Sequence, residues 1–389
     1  MKTTLIIGAG AAGSVTLKKC LMNAETFGEL HLASRTLSKC QKLKDDTNGP
    51  FKIHQIDADD TEDLIKLMQK INPTITINMA LPYQDLSIMK ACLAVESHYV
   101  DTANYEPKDE AKFSYKEQWA MNDEFKAKNL IALLGSGFDP GVTGVFTAYA
   151  QKHLFDEIHE IDIIDCNDGS HGHPFATNFN PEINIREVTQ KGKYWQNGHW
   201  IETAPMEISK DIDFPELGPR KGYLLYHEEL ESLVKNVPHL QKIRFWMTFS
   251  DSYITHLNVL QNIGMTGIKP IDHNGQKIIP LEFLKTILPN PSELGENYNG
   301  KTCIGCVFQG IKDGNPTQKT IYNITQHQTA YKETAAQAVS YTTGVPAMIG
   351  AKLILDQKWT LTGTRNIEEF NPDPFMTELN NQGLPWKTI

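Results

Sequence analysis

Gly8, Gly10 and Gly13 stand in the spacing G-x-G-x-x-G, with Ala11 and Ala12 between the last two. In that spacing the first glycine makes a tight turn and the second lets backbone approach a pyrophosphate. The third allows a helix to pack closely on a strand. Six-residue patterns recur by chance, so context decides. Thr3 to Ile7 is a short β-prone run ending at Gly8, and Val15, Leu17 and Leu21 put apolar residues on a following helix, whose free N–H groups would face an anion. The next strand ends in Ser34-Arg35-Thr36, with Lys39 beyond. A dinucleotide site that selects a ribose 2′-hydroxyl places a carboxylate there, whereas a guanidinium, an ammonium and two hydroxyls suit a 2′-phosphate. The expected cofactor is therefore NADPH/NADP. Asp57-Ala58, Ala80-Leu81-Pro82, Asp101-Thr102-Ala103 and Phe138 close or follow later predicted strands. That carboxyl edge is where ligands collect, so these residues join the expected cofactor-binding set.

A second concentration of chemistry runs from Asp165 to Arg186, where acids and amides accompany His171, His173, Asn180 and Arg186. Cys303 and Cys306 have CxxC spacing, but no second pair or histidine cluster completes a zinc set, and no metal is expected. In a strand, residues three apart face opposite sides. Tyr226-His227-Glu228-Glu229 could lend carboxylates to a cationic substrate, although helix-surface charge explains such a run more simply.

The elements that would position these groups form two textures. Up to about residue 141, strands alternate with helices: Leu30 to Ser34, Phe51 to Ile56, Thr74 to Asn78, Tyr99 to Asp101 and Leu130 to Leu134. Helices are expected at Thr61 to Lys70, with Thr61 as cap, at Leu86 to Glu96 and at Glu110 to Lys126. The alternation predicts an α/β Rossmann domain with a doubly wound parallel sheet. Beyond it, Asn197-Gly198, Asn274-Gly275 and Asp313-Gly314 lie between β-prone runs and predict hairpins, because both turn positions favour positive φ. One helix is expected from near Ser250 to Gly264. The division is 1–141, dinucleotide binding; 142–340, an inserted α+β substrate and dimerisation domain; and 341–389, a return packing on the first domain. The small-residue run Thr343 to Ala351 suits close helix packing, and Asn371 to Ile389 reads as coil.

The net charge of -10 argues against nucleic-acid binding, which needs clustered Lys and Arg. No segment reads as long enough to cross a bilayer. Six cysteines in 389 residues are too sparse for a disulfide scaffold, so reduced thiols and a cytoplasmic location are expected.

The GAGAAG turn, Phe138-Asp139-Pro140-Gly141 and the Thr343 to Ala351 run resemble the saccharopine dehydrogenase family. Leu32 to Thr36, Ala80 to Leu86, Asp101 to Glu106, Gly137 to Phe146, Asn178 to Glu187, Tyr226 to Leu230 and Asn371 to Met376 are similar to its carboxynorspermidine/carboxyspermidine dehydrogenase branch. The resemblance spans essentially the whole chain; the departure is Ala11-Ala12, where relatives carry a further glycine. It implies NADPH-dependent reductive coupling of a diamine, putrescine or 1,3-diaminopropane, with L-aspartate β-semialdehyde, in polyamine biosynthesis by a homodimer. It also implies that the loop after the strand entering the second domain lines the substrate cleft. On that basis Arg186 is expected to hold the α-carboxylate and His171 to act as acid/base, with Asp139 and Asn180 at the cleft. The alternatives are a saccharopine reductase-like enzyme for another amino acid and carbonyl pair, and a non-catalytic NADPH-binding protein.

Overall fold

The computed structural model describes residues 2–389. Strands β1 (Thr3–Ile7), β2 (Glu29–Ser34), β3 (Phe51–Gln55), β4 (Ile75–Asn78), β5 (His98–Val100) and β6 (Ile131–Leu134) form the first sheet. β4 and β6 are buried throughout, as helices on both faces of a parallel sheet require. The second region holds β7 (Glu157–Ser170), β8 (Gly192–Gln196), β9 (His199–Thr203), β10 (Ser209–Phe214), β11 (Gly218–Leu225) and β12 (Lys242–Thr248). The small hairpin β13 (Ile271–His273) and β14 (Gln276–Ile278) follows, then the long hairpin β15 (Asn299–Lys312) and β16 (Asn315–Gln326). Near the C-terminus come β17 (Gly363–Asn366) and β18 (Trp386–Thr388).

The first sheet runs β17-β6-β5-β4-β1-β2-β3, and every pairing in it is parallel. Strand order reverses beside β1, so a crevice opens above the glycine turn at the point where such sheets bind ligands. The main path of the second sheet is β10-β11-β12-β7-β15-β16-β18, with β8 and β9 attached to β12. Asn197-Gly198 and Asp313-Gly314 turn their hairpins with all four φ values positive, which gives the twist that two-residue turns need. Cys303 and Cys306 face opposite sides of β15, in separate apolar clusters.

Several elements differ from the expectations. Asp60, not Thr61, caps the Thr61–Ile71 helix, its carboxylate accepting the Asp63 N–H. The expected helix at Glu110 to Lys126 is a loop followed by two short helices, Lys116–Trp119 and Asn122–Ala127. The tail is not coil: Asp373–Asn381 is helical and β18 pairs with β16. One helix, Ala338–Leu355, does have the length and apolar composition of a membrane span, with 83% of that window buried inside the protein. It lies across the Ala11–Met22 helix, where Thr16 Oγ1 donates to the Gly344 carbonyl at 3.0 Å. A β-carbon at Gly344 would stand 2.6 Å from the Ala12 oxygen, so only glycine permits this approach. Lys19, only 2% exposed, fastens the junction through Glu333 at 2.5 Å and the Gln382 carbonyl at 2.7 Å.

Candidate active site

A cleft of about 680 Å³ runs from the glycine turn to the second domain. Gly8 has φ +116°, and a β-carbon there would stand 2.3 Å from the Met79 oxygen. A β-carbon at Gly13 would stand 2.1 Å from the Gly8 oxygen. Gly10 differs: a β-carbon there meets nothing within 4 Å, so the space above it is open for a ligand. Gly10 begins the Ala11–Met22 helix with no side-chain cap and no acid in the first turn. Its first N–H groups are left for an anion. Gly10, Ala11, Ala12 and Gly13 line the cleft, as do Ala80-Leu81-Pro82 and Thr102-Ala103. Arg35 and Lys39 line it too, and this cationic pair just past β2 fits the extra phosphate of NADP.

Other members of the expected cofactor set lie elsewhere. Ser34 Oγ accepts the Thr36 N–H, and Thr36 caps the Leu37–Thr47 helix. Asp57 accepts the Asp59 N–H, while the Ala58 carbonyl accepts from Ser87. Asp101 is 1% exposed and braces later strand ends, accepting from Gly135 N and Gln118 Nε2 at 2.7 Å each. Burial pushes its carboxyl up to about 7. Phe138 is buried edge-on against Phe146. None of these six residues is in the cleft lining; Ser34, Asp57 and Asp101 are engaged by local hydrogen bonds, Ala58 and Phe138 by the core, and the Thr36 side chain is exposed.

The opposite wall is acidic. Asp139 from the domain junction, Asp165 from β7, Glu187 from the Pro181–Thr189 helix, and His227 and Glu228 after β11 all line the cleft. Asp165 sits beside its register partner Ile304 on β15, which also faces the cleft. Burial, with the charge of Asp165 next, raises Asp139 well above its ordinary value, and burial raises Asp165 to about 7. Two carboxylates so placed cannot both ionise easily, so the pair retains a proton near neutrality. Burial also raises Glu187 to about 7 and Glu228 to about 8. Burial alone would lower His227, but the charge and hydrogen bond of Glu229, with Glu187 beyond, hold it well above its ordinary value. His227 Nδ1 is hydrogen-bonded to Glu229, and Nε2 is 3.5 Å from Glu187 Oε1. The imidazole stacks on Phe245 at 4.2 Å. Glu228 Oε1 accepts the Asn104 N–H at 3.1 Å. The run read as helix-surface charge is thus buried in the cleft wall; helical periodicity cannot report a loop that turns inward after a strand.

Two expected substrate groups are engaged elsewhere. The Arg186 side chain is 2% exposed and bonds Glu106 Oε1 at 2.6 Å, and its terminal nitrogens bond the carbonyls of Pro107, Lys108 and Glu110. Four of its five N–H donors hold the 106–110 loop, so it is not free for a carboxylate in the cleft. His171 lies edge-on to Tyr298, centroids 5.3 Å apart, outside the cleft lining. Tyr298 in turn stacks on His327 at 3.6 Å. Asn180 does line the cleft, while its side-chain oxygen caps the Pro181–Thr189 helix at Glu182 N and Ile183 N. The 285–292 segment, unforeseen from sequence, adds Lys285, already paired with Glu182 at 2.6 Å, and Pro289 to Ser292. Among the described residues no group of three metal-ligating side chains stands close enough to hold a metal.

Residues 4–133 match the saccharopine dehydrogenase NADP binding domain and residues 137–384 the saccharopine dehydrogenase C-terminal domain. The chain belongs to the saccharopine dehydrogenase family. It is an NADP-dependent oxidoreductase. It is similar to the carboxyaminopropylagmatine dehydrogenase of Synechocystis sp., with 54% identity over 100% of this chain and 98% of the relative. The carboxynorspermidine synthase of Vibrio cholerae is 39% identical over 99% of this chain and 96% of the relative. Among solved structures, apo saccharopine dehydrogenase (L-Glu forming) from Saccharomyces cerevisiae shares the family fold with a TM-score of 0.74 and 15% identity, over 100% of both chains. Homospermidine synthase from Legionella pneumophila, in complex with NAD, gives 0.70 and 14%, over 100% of this chain and 91% of the other.

Proposed function

We propose that the enzyme joins L-aspartate β-semialdehyde to a primary amine bearing a second cationic end and reduces the resulting imine with NADPH. The amine is of the class that includes putrescine, 1,3-diaminopropane and agmatine. The observation that carries this reading is the cleft itself, which has a phosphate-binding turn on one wall and four carboxylates with one histidine on the other. Agmatine enters because the 54% relative is named for a carboxyaminopropyl group on agmatine. That group is what aspartate β-semialdehyde leaves on an amine after imine reduction. Six cysteines that all stand unpaired support a cytoplasmic setting.

The amine nitrogen must lose a proton before it attacks the aldehyde, and the carbinolamine must then lose water with the help of an acid. The Asp139–Asp165 pair, with one proton shared near neutrality, can do both: its ionised member accepts the amine proton and its protonated member gives one to the departing hydroxyl. NADPH, when bound, supplies the hydride that reduces the imine carbon. The cleft walls from Thr102 to Pro140 hold the reacting carbon near the carboxyl edge of the first sheet, and Phe113, Met247 and Ile304 keep that region apolar.

The test is NADPH oxidation followed by absorbance, with product mass by spectrometry. Oxidation should require both the semialdehyde and an amine, and the product should have the mass of the two joined and reduced. Asp165→Asn should lower kcat by about 10²–10⁴ and leave the NADPH Kd unchanged. Oxidation without amine, or an unaltered kcat in Asp165→Asn, would defeat the reading.

A further inference from the structure

Beyond the Asp139–Asp165 pair the cleft wall carries a second set of charges that proton transfer does not use. Glu187 approaches from one helix and Glu229 from the start of another, with the His227 ring between them and Phe245 stacked behind. Glu187 is 6% exposed, faces the cleft, and its Oε1 has no hydrogen-bond partner. Asn104, whose backbone N–H binds Glu228, is 1% exposed and leaves both ends of its side-chain amide without partners. Buried polar atoms are rarely left unpaired. Among the described residues no Lys or Arg forms an ion pair with Glu187, Glu228 or Glu229, and the one resident cation is His227. Glu187 Oε1 thus lacks a donor on the cleft wall, and a ligand cation with N–H groups would supply one.

We propose that Glu187, with His227 and Glu228 beside it on the cleft wall, forms the subsite for the distal cation of the amine, with Glu187 Oε1 as its first hydrogen-bond acceptor. This assignment rests on the amine-coupling reading above. Phe113, Met247 and Ile304 then flank the methylene spacer, while the reacting nitrogen lies at Asp139 and Asp165. An ammonium and a guanidinium share the required chemistry; a guanidinium can bridge two carboxylates in its plane, and an ammonium presents three donors to a single acceptor.

The experiment measures kcat/KM with saturating semialdehyde for agmatine, putrescine, 1,3-diaminopropane and n-butylamine, the last lacking a distal cation. The wild-type enzyme should favour its best cationic amine over butylamine by about 100-fold or more. Glu187→Gln should lower kcat/KM for that amine by about 10–100-fold, the range for a lost charged hydrogen bond, and narrow its advantage over butylamine by a similar factor. NADPH affinity within twofold of wild type shows that the variant is folded. In wild-type enzyme, ethylguanidinium or ethylammonium should compete with the amine and not with the semialdehyde. Selective loss for agmatine or for the diamines identifies the head group, and either supports the subsite. Undiminished discrimination in Glu187→Gln would overturn it. If no amine supports NADPH oxidation, the reaction reading fails on its own. Calorimetry of agmatine and putrescine with wild type and Glu187→Gln then still decides the subsite, because equal binding to both proteins would refute it.

Discussion

Replacing Gly10 or Gly13 with alanine adds the same methyl group three residues apart and should give opposite results. At Gly10 the backbone is ordinary, φ -81° and ψ -171°, and the β-carbon meets no protein atom within 4 Å. The unfolded chain loses freedom worth about 0.4–1 kcal/mol, offset by the poorer helix start that alanine makes. The apo melting temperature should therefore stay within about 2 °C of wild type. The methyl group instead occupies space that a pyrophosphate would need. Loss of even one N–H bond to a phosphate oxygen is worth about 1.5–3 kcal/mol, so NADPH should bind about 10–150-fold more weakly. At Gly13 the β-carbon would lie 2.1 Å from the Gly8 oxygen, over 1 Å inside van der Waals contact. Relieving the overlap must move the turn or the helix, at about 1–3 kcal/mol or more. Scanning calorimetry of the apo proteins and titration calorimetry with NADPH separate the two effects. A Gly10→Ala enzyme that binds NADPH like wild type, or that melts as low as Gly13→Ala, would refute the reasoning.

Arg35→Ala should reduce the preference for NADPH over NADH, measured as the ratio of kcat/KM values, by about 10-fold or more, since it removes a cation from the extra phosphate; an unaltered ratio would assign that phosphate elsewhere. Arg186→Ala leaves Glu106 buried without its partner and should cost about 3–5 kcal/mol in urea unfolding, and Arg186→Met with Glu106→Gln should recover part of it. His327 is completely buried, accepting the Ala338 N–H at Nδ1 and bonding Asn167 through Nε2. Burial, aided by His171, lowers it from 6.5 to about 4. Because the folded chain then binds fewer protons than the unfolded chain between those values, stability falls as pH drops through that window, by about 3 kcal/mol for this group. Urea midpoints of wild type and His327→Gln across pH 4–7 should differ in pH dependence by that amount; parallel curves would refute the shift.

The dinucleotide half was legible because its signals are local. A strand, a glycine turn and a basic pair lie within 40 residues, and the Gly8 and Gly13 contacts are set by backbone geometry alone. The acidic wall was not, because its members come from residues 139, 165, 187 and 227–229, and only tertiary folding gathers them. Arg186 shows the converse error. Its type suits a carboxylate ligand, and nothing nearby in sequence reveals that Glu106, eighty positions earlier, already claims it. The loop at 110–115 departs from helix because tertiary bonds from Arg186 and Glu231 engage its backbone, and such bonds override local propensity.

Strands β17 and β18 arise within the last 27 residues (363–389) yet complete different sheets, one beside β6 and the other beside β16. While the ribosome is still making the polypeptide, neither sheet has its final edge, and Ile131 to Leu134 waits for a neighbour more than 200 residues downstream. A nascent chain halted shortly before residue 363 would expose two open strand edges together, a template for intermolecular pairing. Synthesis of residues 363–388, rather than formation of the glycine turn, therefore sets when both sheets reach their final strand order.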